Sequence, residues 1–353
     1  MEKRNIIVIG ASAGGFEGLK KIVAGLPPNL DASIFVVWHI APDVRGVLPQ
    51  VLNNIQTLHG AHAVDMEPIK RGRIYVAPPD HHLLIEKGWV RITRGPKENR
   101  FRPAVDPLFR SAAYAYRSQV IGVILSGALD DGTAGLWAIK NYGGIAIVQD
   151  PEEAEVPSMP ENAIRAVEVD YKLRVADIPS ALVKLVQEEV RTGAPAHGNG
   201  KVDESRIKTE INIAMEDSAL NDKVLQLGKL TPYTCPECHG VLSALVEGGR
   251  VRFRCHTGHA FSADSLLATI SESIEESLWS AIRSIQESVM LLNHMGDHFA
   301  EVNQPKVAAM YFKKAKEAEG RANSVRQAVL NHEQLSTDSI LHEANTTESE
   351  SDE

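Results

Sequence analysis

Ile6-Ile7-Val8-Ile9 runs directly into Gly10-Ala11-Ser12-Ala13-Gly14-Gly15, and this junction constrains the fold more than any other stretch of the chain. A short, uninterrupted apolar run reads as a strand buried on both faces. The glycines require a tight turn, and a helical pattern from Phe16 to Gly25 follows it. Similar strand patterns recur at Ile34 to Trp38, Ile74 to Ala77, Val120 to Leu125 and Ile145 to Val148, with helical stretches between them. The expected fold class is α/β, a doubly wound and mostly parallel sheet with helices on both faces. Gly88 to Arg94, flanked by Ile85 and Trp89, reads as an antiparallel excursion or hairpin.

The first turn matches G-x-S-x-G, in which glycines on either side allow a sharp turn that exposes the serine hydroxyl. The helix behind it offers unpaired N–H groups and a positive dipole end. A turn of this kind also suits phosphate, or no ligand at all. A dinucleotide site would need G-x-G-x-x-G and an acidic residue at the end of the second strand. Here Ser12 takes the place of the middle glycine and the second strand ends Trp38-His39-Ile40, which disfavours a nicotinamide oxidoreductase. His39 stands on the same carboxyl edge as Ser12, where α/β active sites gather. Leu125-Ser126-Gly127-Ala128-Leu129-Asp130-Asp131-Gly132 follows another strand. Glycine-flanked aspartates commonly form Asx turns, but beside a serine and a histidine one of them can orient the imidazole. The order Ser, His, Asp is not that of the α/β-hydrolases.

These segments, with Tyr75-Val76-Ala77-Pro78, Arg102-Pro103-Ala104-Val105-Asp106-Pro107-Leu108-Phe109, Gln149-Asp150 and Met159-Pro160, resemble the catalytic domain of the chemotaxis protein-glutamate methylesterase (CheB) family. The matches are collinear over about residues 5 to 185. The resemblance implies an enzyme, a carboxylic ester hydrolase that removes methyl esters from glutamate on chemoreceptor helices, an activity that many members join to deamidation of glutamine. It implies Ser12 as nucleophile, His39 as base and Asp131 as its orienting partner, with backbone N–H groups at Ala13 and Ala128 as oxyanion candidates and no cofactor for catalysis. Two side chains depart from the family pattern: Ala13 stands where threonine is common, and Ala128 where the family has methionine. The chain also begins at the catalytic strand, without the receiver domain of full-length members, so a different control is expected.

All three cysteines lie between positions 235 and 255. Cys235-Pro236-Glu237-Cys238 is separated by sixteen residues from Cys255, which His256 and His259 follow. A clustered, odd set reads as metal ligation before disulfides, and C-x2-C with C-x3-H suits structural, tetrahedral zinc. Free buried cysteines are the plain alternative. His259 is the expected fourth ligand, since Cys255 and His256 would crowd one metal, though His256 stays open. Val241 to Arg254, broken by Gly248-Gly249, reads as a hairpin joining the ligand pairs. The span from Tyr233 to Phe261 is similar to an extension on some receiver-less methylesterase-like proteins.

The expected organisation is a catalytic domain over 1–190, a linker with a short helix near Lys208 to Met215 over 191–230, a zinc-ribbon-like module over 231–262, a helical region over 263–335 and a disordered acidic tail over 336–353. Gly193 to Gly200 has linker composition. Ser262 is a plausible N-cap, with Asp264 favourable in the first turn. Leu267, Ile270, Ile274, Leu278, Ala281, Ile285 and Leu292 form an amphipathic stripe, and a second helix from Pro305 carries Val307, Met310, Ala315, Ala318, Ala322 and Val325. The two make an α-helical hairpin or a homo-oligomer seam. The net charge of −9 argues against nucleic-acid binding. No apolar run is long enough to span a bilayer, and no signal peptide is evident. The protein is therefore expected to be cytoplasmic and to meet a methylated chemoreceptor or similar helical signalling protein without inserting in the membrane. A non-catalytic module that binds methylated helices or signalling partners is the alternative.

Overall fold

The computed structural model describes residues 3–40, 46–190, 203–215, 224, 227–247, 249–333, 335 and 340. Its strands are β1 (Ile6–Ala11), β2 (Ser33–Trp38), β3 (His59–His62), β4 (Arg73–Val76), β5 (His82–Glu86), β6 (Trp89–Thr93), β7 (Val120–Ile124), β8 (Ile145–Gln149) and β9 (Tyr171–Leu173), followed by β10 (Lys229–Thr234), β11 (Val241–Glu247), β12 (Arg250–Cys255) and β13 (Ala260–Ser262). Seven of them form one sheet in the order β3-β4-β2-β1-β7-β8-β9. Every pairing in it is parallel, so the sheet is wholly rather than mostly parallel. The stretch from Gly88 is the second arm of the antiparallel hairpin β5–β6.

Side-chain alternation divides the core in two. Ile7 and Ile9 of β1 face a cluster that includes Ile34, Val36, Ile121 and Val123, covered by α1 (Gly15–Ala24), α2 (Leu48–Asn53) and α6 (Ile178–Gln187). Ile6 and Val8 face the opposite cluster, covered by α3 (Val105–Tyr116), α4 (Thr133–Asn141), α5 (Ser158–Ala166) and the β5–β6 hairpin. Apolar residues on both faces of one strand are what a parallel sheet sandwiched between helices needs. The edge strands β3 and β9 are short and partly polar, and for that reason carry no clear strand pattern in the sequence.

The chain divides into two compact units, Met1–Leu266 and Leu267–Glu353. The first contains more than the parallel sheet and its helices. A helix expected near Lys208 begins earlier, as α7 (Glu204–Met215), and its Ile207, Ile211 and Ala214 belong to the core on the α3 side. Strands β10 to β13 form a small antiparallel sheet carrying the cysteines, with the expected hairpin between β11 and β12. The proposed linker segment 193–200 and most of the acidic tail lie outside the described residues.

A buried charge cluster joins these parts of the first unit. Arg252 and Arg254 project from one face of β12, as residues two apart on a strand must. Arg254 reaches Glu98 at 3.0 Å, and Arg252 reaches Glu210 of α7 at 3.1 Å. Arg110 of α3 binds both acids, at 2.7 Å to Glu98 and 3.0 Å to Glu210. Burial alone would raise the pKa of Glu98, but Arg110, Arg254 and Arg252 outweigh it and hold the carboxyl below the ordinary glutamate value. For Glu210, burial is outweighed by Arg252, Arg110 and Arg254.

In the second unit, two helices pair antiparallel: α8, whose span Ala263–Glu301 begins just before the unit boundary, and α9 (Pro305–Leu330). Phe299 stacks on Tyr311 near the turn, at a centroid distance of 5.3 Å, and His332 bonds Ser271 at the far end. The expected stripe on α8 is shifted: Ile270 and Ile274 are exposed, whereas Ile282 is buried. On α9 the buried positions are mainly alanines 308, 315, 318 and 322, while Val307 and Met310 are exposed. Small residues on α9 let the partner helix approach closely, which residue hydrophobicity alone does not reveal.

Removing Glu210 leaves Arg110, Arg252 and Arg254 buried with one fewer carboxylate to share. Glu210→Ala is expected to destabilise the first unit by about 3–5 kcal/mol, read as a lowered urea midpoint.

Candidate catalytic site and metal centre

Ser12 closes the turn between β1 and α1. Its N–H donates to the Ser126 carbonyl at 3.0 Å, and its own carbonyl accepts from Gly15 N–H at 3.0 Å and Trp38 Nε1–H at 3.1 Å. The serine backbone is thus pinned to the ends of both neighbouring strands. Gly14 has φ 71°, a left-handed conformation that glycine adopts without a Cβ penalty. Gly127 is needed for space, because a Cβ there would lie 2.7 Å from the Ser12 Cβ.

His39 follows β2, and its N–H donates to the Ala11 carbonyl at 3.0 Å. Asp131 follows β7. The three side chains that sequence reasoning selected therefore sit at the carboxyl edge of β2, β1 and β7, where the winding of the sheet reverses, and His39 and Asp131 meet directly. His39 Nε2 lies 2.7 Å from Asp131 Oδ2, and both side chains are almost fully buried. The imidazole packs flat on Phe101, with centroids 3.8 Å apart and planes 9° apart.

Asp131 accepts four further hydrogen bonds: Val105 N–H at 2.7 Å, Asn99 Nδ2 at 2.9 Å, Gly132 N–H at 2.9 Å and Asp106 N–H at 3.2 Å. Burial pushes its pKa up, but the His39 bond and charge, the Val105 N–H and the Asn99 amide outweigh it and hold the pKa below the usual aspartate value. An ionised Asp131 accepts a hydrogen bond from Nε2–H, which keeps the proton on Nε2 and leaves Nδ1 as the basic nitrogen. Nδ1 is buried and has no partner among the described residues.

Ser12, Ala13 and His39 line a cleft of about 480 Å³, with Phe16 and Trp38 as aromatic wall and Lys97, Arg100 and Arg102 as basic wall. The Ala13 and Ala128 N–H groups bond no backbone acceptor among the described residues. Ala13 and Ala128 are both exposed.

Neighbouring acids behave differently from Asp131. Asp106 is pushed up to about 6 by burial and by the Asp131 charge. Asp130 accepts a 2.6 Å bond from Ser262 Oγ. Burial, with the charges of Asp264, Asp106 and Asp131, pushes Asp130 up to about 7 against that bond. Sequence reasoning missed Asn99, Phe101 and the contact of Ser262 with Asp130. Asn99 and Phe101 lie in a glycine-free turn without a periodic pattern, and Ser262 is 132 residues from its partner.

Cys235, Cys238, Cys255 and His259 place their ligand atoms within 4.8 Å of one another, a set able to hold a metal ion. The Cys238–Cys255 Sγ distance is 3.6 Å, and His259 Nδ1 lies 3.6 Å from Cys255 Sγ and 3.7 Å from Cys235 Sγ. These are close to the edges of a tetrahedron with Zn–S near ~2.3 Å and Zn–N near ~2.0 Å. His256 is outside the set, its ring packed against Gly240. Two tight turns shape the site: His239 N–H bonds the Cys235 carbonyl at 2.8 Å, and Gly258 N–H the Cys255 carbonyl at 2.9 Å.

Residues 7–182 match the family described as CheB methylesterase. A Leptospira interrogans protein with the provisional name protein-glutamate methylesterase/protein-glutamine glutaminase is 42% identical over 185 residues, covering 52% of this chain and 96% of that protein. The protein-glutamate methylesterase/protein-glutamine glutaminase of Thermotoga maritima is 39% identical over 185 residues, covering 51% of this chain and 54% of the relative. The crystal structure of the Thermotoga maritima CheB methylesterase catalytic domain superposes with a TM-score of 0.50 at 38% identity, covering 53% of this chain and all of that one. No helix among the described residues is long and apolar enough to cross a membrane.

Asp130 supplies a pH test. Its folded pKa lies above the unfolded value, so its contribution to stability is complete below about pH 4 and is lost as pH rises through about 7. Asp130→Asn is expected to raise the melting temperature at pH 8 and to change it little at pH 4, measured by scanning calorimetry.

Proposed function

Because the chain belongs to the CheB methylesterase family, we propose that it is a protein-glutamate methylesterase that hydrolyses glutamate methyl esters on a methylated chemoreceptor or a similar helical signalling protein. The observation that carries this reading is the buried His39–Asp131 pair, with its unpartnered Nδ1, opening on the cleft that Ser12 lines.

In this reading Ser12 Oγ attacks the ester carbonyl while its proton passes to His39 Nδ1. Asp131, ionised beneath Nε2, stabilises the imidazolium. The N–H groups of Ala13 and Ala128 hold the developing oxyanion, a contribution of the kind worth ~10²–10³ in turnover per donor. Because these donors are backbone groups, alanine at either position leaves them available. Collapse of the tetrahedral intermediate returns the proton to the methoxide and methanol leaves. Water then attacks the glutamyl-enzyme with His39 as base again, releasing free glutamate and Ser12. A glutamine amide follows the same path with ammonia as the leaving group.

The Cys/His set is assigned to one structural zinc ion per chain. Three thiolates and one imidazole fill a tetrahedral shell and leave no position for substrate. The zinc would hold β10 to β13 together and takes no part in the ester chemistry. The helix pair, with Trp279, Met290 and Leu291 exposed, is assigned to self-association with a second copy of the chain.

Methanol release from a methylated receptor is expected for the native protein and is expected to be absent for Ser12→Ala. Equal release by both would discard the triad assignment, and no release by the native protein would instead favour a non-catalytic module that binds methylated helices. Asp131→Asn, which leaves the imidazole in the wrong tautomer, is expected to lower turnover by ~10⁴-fold. Elemental analysis is expected to find one zinc per chain, lost in Cys235→Ser; native protein purified without chelator and free of metal would remove the zinc assignment.

A further inference from the structure

Both halves of the His39–Asp131 pair are held by one four-residue turn, and that turn is stitched to the Cys/His module. Glu98 and Phe101 close it with reciprocal backbone bonds, Phe101 N–H to the Glu98 carbonyl at 2.9 Å and Glu98 N–H to the Phe101 carbonyl at 3.2 Å. Asn99 and Arg100 between them have φ 49° and 77°, a left-handed pair of the kind found in tight hairpin turns. Arginine adopts this conformation at a cost, so the turn needs outside support.

That support comes from β13. Ala260 N–H donates to the Lys97 carbonyl at 3.1 Å, and Asn99 N–H donates to the Ala260 carbonyl at 2.8 Å. Glu98 and Ala260 thus form a parallel bridge that adds the turn to the edge of the module's sheet. Ala260 directly follows His259, one of the four candidate metal ligands. The Glu98 side chain is clamped by Arg254 of β12 and Arg110 of α3.

The Asn99 side chain carries the connection inward. Its Oδ1 accepts from Ser262 N–H at 2.9 Å. Its Nδ2 donates to Asp131 Oδ1 and to Asp106 Oδ2, each at 2.9 Å. Asn99 is 2% exposed, so these bonds are made away from water. Two residues on, the Phe101 ring covers the imidazole face.

We propose that the Cys/His module, acting through the 98–101 turn, sets the geometry of the His39–Asp131 pair, with Asn99 as a positioning residue for the reaction. The module is then part of the active site's framework, and loss of its metal disables the esterase from a distance. This proposal rests on the assignment of Ser12, His39 and Asp131 as a triad.

The test is a double-mutant cycle in the full chain: native protein, Asn99→Gly, Cys255→Ser and the double variant. Glycine keeps the left-handed backbone and the bond to Ala260 while removing the amide. The readout is the rate at which a fluorophosphonate modifies Ser12, followed against pH, with the adduct located by mass spectrometry. Each single substitution is expected to slow labelling by ~10-fold or more, and the double variant to be no slower than the slower single, because both act through one connection. In Asn99→Gly the midpoint of the pH–rate profile is expected to move to higher pH, since Asp131 without the amide donor holds a proton on the imidazole more firmly. The charged groups around the ring, Asp131 beneath it and Lys97, Arg100 and Arg102 on the cleft wall, are otherwise unchanged. If Cys255→Ser does not fold, chelation of the native protein supplies that arm. A lowered melting temperature with rate and midpoint intact, or effects that multiply in the double variant, overturns the proposal while the triad stands. No adduct at Ser12 in the native protein overturns the triad and this proposal together.

Discussion

An aspartate with almost no contact with water is charged beneath His39 because five donors converge on it. Without them, burial would leave Asp131 protonated, and a neutral acid could neither fix the imidazole tautomer nor stabilise its protonated form. The donors come from widely separated places: the start of α3, the turn before α4, the 98–101 turn and His39 itself. Much of the architecture around the cleft can be understood as the means of assembling that set. The contrast with Asp130 and Asp106 makes the point. They are adjacent or nearby acids in the same region, yet with fewer compensating donors their pKa values rise to about 7 and about 6.

The second unifying feature is the charge cluster of Glu98, Glu210, Arg110, Arg252 and Arg254. Buried ion pairs add little net stability relative to apolar packing, but they penalise misplacement heavily. Here they connect α3, α7, the small antiparallel sheet and the 98–101 turn, so they specify one arrangement of those four parts. A purely apolar contact would tolerate sliding. The cost of stranding an arginine does not.

The resulting protein is a parallel α/β esterase fold with a cysteine-bearing extension built into its flank. Among the described residues, the extension packs into that flank: α7 fills part of the core beside α3, and β13 pairs with the turn that covers His39. Ser262, at the start of α8, caps that helix through Ser265 N–H and also bonds Asp130. The family relationship covers the first half of the chain. Residues from the second half reach the supports of the His39–Asp131 pair.

The positions of the central strands β1, β2, β4, β7 and β8, the serine turn, the histidine and aspartate at strand ends and the C-x2-C with C-x3-H spacing were determined by the sequence itself. These are local signals: apolar runs, glycines and ligand spacings act within a few residues, and a parallel sheet brings strand ends to one edge. The tertiary structure alone decided that Nε2 faces Asp131, that Asn99 ties the aspartate to Ser262, and that Arg252 and Arg254 turn inward to acids some 40 and 150 residues away. No periodicity encodes such contacts. A buried polar group finds its partner wherever the packed chain places one, and only the folded backbone determines where that is.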